Sequence, residues 1–188
     1  MARRKEFVRE MRRLDPEDLF FLDEAGATIA MTPFRARSPI GERAHGKVPR
    51  CRGVVTTILG ALTLAGVTAL MTIEGATCGE VFTSYVRQVL VPHLRPGNVV
   101  VLDNLGAHRV QDAREAIEAA GARLLFLPPY SPDLNPIEET WSKMKGHIRR
   151  QEPRTIEALD ASVADAAANV TTEDAIGWIR HAGYHVNG

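Results

Sequence analysis

Two short runs without apolar–polar alternation end in an aspartate: Leu19–Asp23 (LFFLD), apolar throughout before its acid, and Asn98–Asp103 (NVVVLD). A strand with one wet face alternates apolar and polar residues, and these runs do not alternate, so both read as buried strands. Buried strands need other layers packed on their sheet. The chain provides helical patterns between and after its strands, which predicts a mixed α/β sheet with helices packed on it. At 188 residues, 45% apolar and 24% charged, the sequence has the size and composition of one ordinary globular domain. Disordered, collagen-like and coiled-coil readings fit it poorly.

Gly26 permits a turn after the first run, and Thr28–Thr32 is expected to return as a neighbouring strand. Pro33 to Arg52 is a loop rich in Pro, Gly and Arg. Val54–Ile73 then has no charged residue over the length of a membrane-spanning helix. Its Thr56, Thr57, Thr63, Thr68 and Thr72, with Gly60 and Gly66 between them, fit instead two buried strands turning near Leu64–Gly66. The expectation is a chain with no membrane role. In Gly79–Leu94, the residues Val81, Phe82, Tyr85, Val86, Val89 and Leu90 recur at helical spacing. Val110–Ala120 reads as a helix stopped by Gly121, and Ala122–Leu127 as a further strand.

The prolines of Pro128–Pro136 (PPYSPDLNP) remove backbone donors and fix φ, so this stretch is irregular. It leads into a helix with a start signal: Asn135 as N-cap, Pro136 at the first helical position, and Glu138 where a capping box wants it. Ile137, Trp141, Met144 and Ile148 mark the buried stripe of that helix, which makes Trp141 a core residue rather than a stacking platform. From Thr155 onward the sequence predicts two Ala-rich helices meeting around Thr171–Asp174, with Trp178 packed between them. The expected organisation is a basic N-terminal segment over 1–17, a core over 18–152, and a helical extension of the same domain over 153–188.

Lys plus Arg and Asp plus Glu both number 23, so a uniformly basic nucleic-acid binder is excluded while a local basic face is not. Cys51 and Cys78 form no CxxC pair and no zinc-site spacing. The residues Met1–Arg13 are basic without a following apolar core, unlike a secretory signal. No GxGxxG or GxxxxGK[ST] phosphate loop is present. The expected compartment is the cytoplasm.

Strand ends are where α/β sheets place ligands, and here two of them carry Asp23 and Asp103 while a later helix opens with a glutamate. Three carboxylates meeting at one place repel unless neutralised, and hard divalent cations neutralise them with oxygen ligands. Two such ions activate an attacking oxygen and stabilise a leaving oxygen at a phosphodiester. Each residue also has an ordinary role: a strand-ending aspartate serves turns, and Glu138 serves the cap of its helix. Glu24 points to the opposite face from Asp23. Spacing alone leaves open whether Glu138 or Glu139 faces the site.

The segments LDEAG at 22–26, VLDNLGAH at 101–108 and PPYSPDLNPIEETW at 128–141 resemble the DDE transposases of the mariner-like superfamily, particularly their bacterial insertion-sequence branch. Thirty-four residues lie between Asp103 and Glu138, the spacing typical of that group, and the likeness runs from about Leu19 to Arg150. The resemblance implies a ribonuclease-H-like mixed sheet flanked by helices. It assigns catalysis and metal binding to Asp23, Asp103 and Glu138, thereby preferring Glu138 to Glu139. It also implies Mg²⁺, with Mn²⁺ able to substitute, in a two-ion site that hydrolyses DNA at element ends. The freed 3′-hydroxyl then attacks target DNA. Asn104 and His108 match the second motif and are expected to support the site or face DNA.

Family members carry helix-turn-helix modules before the core, and only some eighteen residues precede the first strand here. The expectation is a split reading frame, a truncated gene or a trimmed chain, with end recognition supplied by a separate helix-turn-helix chain. The other partners implied are DNA, both element ends and target, and a second copy of the chain, acting at the bacterial nucleoid. Arg35, Arg37, Arg43, Lys47, Arg50 and Arg52 lie in a stretch with one acid, Glu42, and are expected to meet phosphates. Lys143, Lys145, Arg149 and Arg150 form a second basic group, of which Lys145 and Arg149 share the helix face of Glu138. Competing readings are a ribonuclease-H-like nuclease without strand transfer, and a non-catalytic remnant that binds DNA or a partner.

Overall fold

The computed structural model describes residues 2–103 and 111–186. Five strands, β1 Leu19–Ala27, β2 Thr56–Thr63, β3 Gly66–Glu74, β4 Val99–Leu102 and β5 Arg123–Phe126, form one sheet in the order β3-β2-β1-β4-β5. β1, β2 and β3 pair antiparallel, whereas β1, β4 and β5 run parallel. The sheet is mixed, and β1 sits at its centre, where the two kinds of pairing meet.

Side-chain alternation along these strands makes two cores. On one face lie Leu19, Phe21, Ala25, Ile58, Leu62, Val99 and Val101. On the other lie Phe20, Leu22, Leu59, Ala61, Val100 and Leu102. The first face is covered by α4 (Ile137–Gln151), α5 (Ile156–Ala168) and α6 (Thr172–His181), and by the N-terminal helix α1 (Ala2–Met11) through Phe7 and Met11. The second is covered by α2 (Gly79–Tyr85) and α3 (Gln111–Ala119). Each large side chain buried in this way contributes roughly 1.5–3 kcal/mol, so β1, apolar on both faces, is held from both sides.

The hairpin and the buried stripe Ile137, Trp141, Met144 and Ile148 form as the sequence predicts. Gly121 ends α3 at φ +78°, and a Cβ there would sit 3.0 Å from Pro96. The C-terminal helices meet at a capping box between Thr171 and Asp174. Beyond them the Tyr184 ring packs 4.9 Å from Phe21, and its hydroxyl donates to the carbonyl of Leu134 at 2.6 Å.

Two local expectations fail. Thr28–Thr32 is not a strand, because β1 runs straight through Gly26 and its open edge is taken by β2, Ala27 opposite Thr56. The expected long helix after Gly79 shortens to α2, widens into a π-turn over Val86–Leu90 and tightens into a 3₁₀ turn at Val91–His93. Pro92 has no backbone N–H to continue an α-helical ladder, and the wider turn still buries Phe82, Tyr85, Val86 and Leu90. Among the described residues, no helix is long and apolar enough to cross a membrane.

Candidate active site

Asp23 lies on β1 amid apolar neighbours and is 7% exposed. Its carboxylate accepts the Trp141 indole N–H at 3.2 Å and the backbone N–H of Glu24. Burial pushes its pKa up to about 7, and the charges of Glu138 and Asp103 push the same way against the pull of both hydrogen bonds. Trp141 reaches Asp23 across the sheet because the residue paired with Asp23 on β2 is Gly60. A Cβ at Gly60 would stand 3.3 Å from Trp141 Cη2 and 3.2 Å from Leu70 Cδ1.

Asp103 follows β4 directly. Val99 and Val101 belong to the same core face as Phe21, so strand alternation carries Asp103 to the face that holds Asp23. Glu138 is exposed in the first turn of α4, on that face. Asp103 and Glu138 line one cleft of 500 Å³ together with Leu127, Asn135 and the 128–132 segment. A second groove, of 580 Å³, shares Pro132, Asn135 and Glu138 with the cleft and extends to Arg4, Arg12 and His181.

The predicted capping box at Asn135 and Glu138 is absent. Pro132–Leu134 forms a 3₁₀ turn that runs into the helix, placing Pro136 in the cap position with no side-chain cap. The Glu138 N–H bonds to the backbone oxygen of Asn135 at 3.2 Å, and Asn135 Oδ1 is buried without a partner among the described residues. The Glu138 side chain therefore has no capping duty.

Arg35, Arg37, Arg43, Lys47, Arg50 and Arg52 are all exposed on the long irregular connection between β1 and β2. Lys145 and Arg149 are half-buried on α4, and the Arg149 guanidinium stacks 4.1 Å over the ring of Phe34. Lys143 is ion-paired with Asp174. Asn104 and His108 lie outside the described residues. Reasoning from sequence missed the Trp141 bond to Asp23, the clearance at Gly60 and the docking of α1. The apolar spacing of Phe7 and Met11 on one turn of α1 was the available signal for the last.

Oxygen-only donors, mutual repulsion and a buried member that holds its proton to neutrality are the properties of a carboxylate set suited to a hard divalent cation. Among the described residues, no three His, Cys, Asp or Glu side chains stand within ligating reach of one point. The fit rests on donor chemistry and on the shared electrostatics of the three groups.

A family model described as DDE superfamily endonuclease matches residues 18–160. The chain belongs to the DDE superfamily endonucleases. No curated protein matches the sequence. Among solved structures, this DDE superfamily chain is similar to the Mos1 strand transfer complex at a TM-score of 0.74 and 20% identity, covering 97% of this chain and 57% of that one. It resembles the mariner Mos1 paired end complex with Mg at 0.69 and 15%, covering 95% and 57%. The Mos1 transposase catalytic domain with Raltegravir and Mn aligns at 0.65 and 13%, covering 97% and 92%. The DDE chain thus spans little more than half the length of the Mos1 chains in those complexes and nearly all of the catalytic domain. The fold is the expected ribonuclease-H-like mixed sheet flanked by helices, with a helical C-terminal region.

Proposed function

We propose that this DDE endonuclease domain is the catalytic core of a DNA transposase, cutting DNA at element ends and joining the freed 3′-hydroxyl to target DNA. The observation that carries the reading is the buried Asp23, whose hold on its proton is strengthened by Asp103 and Glu138 at one end of the sheet. Asp23, Asp103 and Glu138 would hold Mg²⁺, or Mn²⁺ in its place, as two ions. When bound, the cations supply activation of the attacking oxygen and stabilisation of the leaving oxygen.

The protein's part is positioning. Trp141 and the Glu24 N–H fix the Asp23 carboxylate. The buried stripe of α4 fixes the helix that carries Glu138. The basic connection between β1 and β2, with Lys145 and Arg149, supplies phosphate contacts that add affinity without reading sequence. Recognition of element ends falls to a helix-turn-helix unit outside these residues, in this chain or a separate one. The assembly is a homo-oligomer acting on bacterial DNA in the cytoplasm, at the nucleoid. The DNA partner and the divalent cation are supported by the family membership and the likeness to Mos1 structures solved as paired-end and strand-transfer complexes, with Mg and with Mn.

The test is anomalous diffraction from crystals soaked in Mn²⁺, comparing the parent with Asp103→Asn, followed by incubation with end-sequence DNA. Manganese between the three carboxylates, lost or weakened in the variant, and 3′ ends joined to target DNA are expected. Ordered crystals with the carboxylates far apart would overturn the site. DNA that is cut but never joined would reduce the activity to that of a nuclease.

A further inference from the structure

Tyr130 is the most exposed aromatic in the described structure, at 100%, and it lines the cleft that holds Asp103 and Glu138. Its backbone is left-handed, with φ +55°. A bulky aromatic in that region costs free energy, and a fully exposed ring recovers none of it through burial. The ring makes no hydrogen bond or ring contact among the described residues.

The backbone that carries the ring is nevertheless fixed on both sides. Pro129 precedes it with a fixed φ, and Ser131 follows it, buried and hydrogen-bonded by Arg4 Nη1 at 3.2 Å. The Leu134 N–H bonds back to the Ser131 carbonyl at 3.1 Å, which closes the turn. An exposed aromatic on a strained, anchored backbone, with no intramolecular partner and at the lip of a carboxylate cleft, is arranged to meet something flat. If the cleft handles a phosphodiester, the nearest flat surface is the base of the adjoining nucleotide. We infer that Tyr130 is a stacking platform that seats an unpaired base beside the scissile phosphate, positioning the strand for attack. The inference rests on the DNA-cleaving reading above.

The probe is a short DNA duplex with a single-stranded 3′ overhang, 2-aminopurine at the junction and a dye at the far end, in Ca²⁺ to permit binding without turnover. Anisotropy of the dye reports DNA binding, and 2-aminopurine emission reports stacking. In the parent and in Tyr130→Phe, emission is expected to be quenched on binding. In Tyr130→Gly and Tyr130→Ala it should stay bright, with affinity for the overhang weakened roughly ten-fold. Tyr130→Gly should also melt above Tyr130→Ala, because glycine removes the left-handed strain. Binding with the same quenching in the parent and Tyr130→Gly would overturn the stacking role and leave the DNA reading standing. No change in anisotropy for the parent would overturn both.

Discussion

Trp141 on α4 donates its indole N–H to Oδ2 of Asp23 on β1 across 3.2 Å, joining residues 118 positions apart. The bond sets the angle at which the carboxylate is presented. Trp141→Phe keeps most of the packing and removes the donor. Groups that orient metal-binding carboxylates typically cost 10–100-fold in metal affinity or activity when removed, and about that loss is expected in Mn²⁺ titration and DNA cleavage. The accompanying loss of stability should be about 1–2 kcal/mol by urea unfolding.

Gly60 lets that contact form. Gly60→Ala places a Cβ against Trp141 and Leu70 at distances tighter than ordinary packing. A cost of about 1–3 kcal/mol in stability is expected, together with a fall in activity. If the activity loss runs through Trp141, adding Gly60→Ala to Trp141→Phe should cost less activity than it does alone, which a double-mutant cycle measures.

Without metal, Asp23 makes stability depend on pH. Its pKa is about 7 in the folded chain and near 4 when unfolded, so the folded state retains a proton that the unfolded state releases between those values. Stability of the metal-free protein should therefore fall as pH rises from about 4 to about 7, then level off. Asp133, Asp165 and Asp174, held below the usual carboxylate range by their partners, act at lower pH and in the opposite sense. Asp23→Asn should remove the decline, gaining on the order of 4 kcal/mol over the parent at pH 8, measured by urea unfolding in chelator.

Tyr184→Phe removes the donor to the Leu134 carbonyl and leaves that acceptor buried. A loss of about 1–3 kcal/mol is expected in thermal or urea unfolding. The same bond ties the C-terminal segment to the turn that launches α4, so hydrogen exchange should rise in residues 131–137.

Replacing Arg37, Arg43 and Arg50 with glutamine should leave stability within about 0.5 kcal/mol of the parent, since all three are exposed. DNA affinity should fall, and the slope of log affinity against log salt should flatten by about 0.9 for each phosphate that is no longer neutralised.

What could be read in the sequence was local. Unbroken apolar runs announced β1 and β4, threonine and glycine spacing announced the hairpin, and period 3.6 announced α4. The failures were places where another part of the chain decided the outcome. Thr28–Thr32 lost its strand because β2 took the edge it would have needed. Asn135 lost its cap to a 3₁₀ turn begun three residues earlier. The bond from Trp141 to Asp23 has no local trace, because a tryptophan on an apolar stripe looks the same whether or not its N–H finds a carboxylate. The family resemblance singled out Asp23, Asp103 and Glu138, and only the packing of the sheet on α4 shows what orients the first of them.

Ala27 and Thr56 face each other across the β1–β2 pair, so a turn of two residues could have joined these strands. The chain instead leaves the sheet at Thr28 and returns at Val55. It is held near its root, where Arg154 donates to the carbonyls of Ile29 and Met31 at 3.1 and 3.0 Å and Arg149 stacks over Phe34. Lengthening such a connection costs about 0.6 kcal/mol for each doubling, and no strand register passes through it. Sequence can be added to, removed from or exchanged within this excursion without disturbing the sheet that holds Asp23. The fold thereby separates the sheet around Asp23, which must stay constant, from a stretch that is free to diverge.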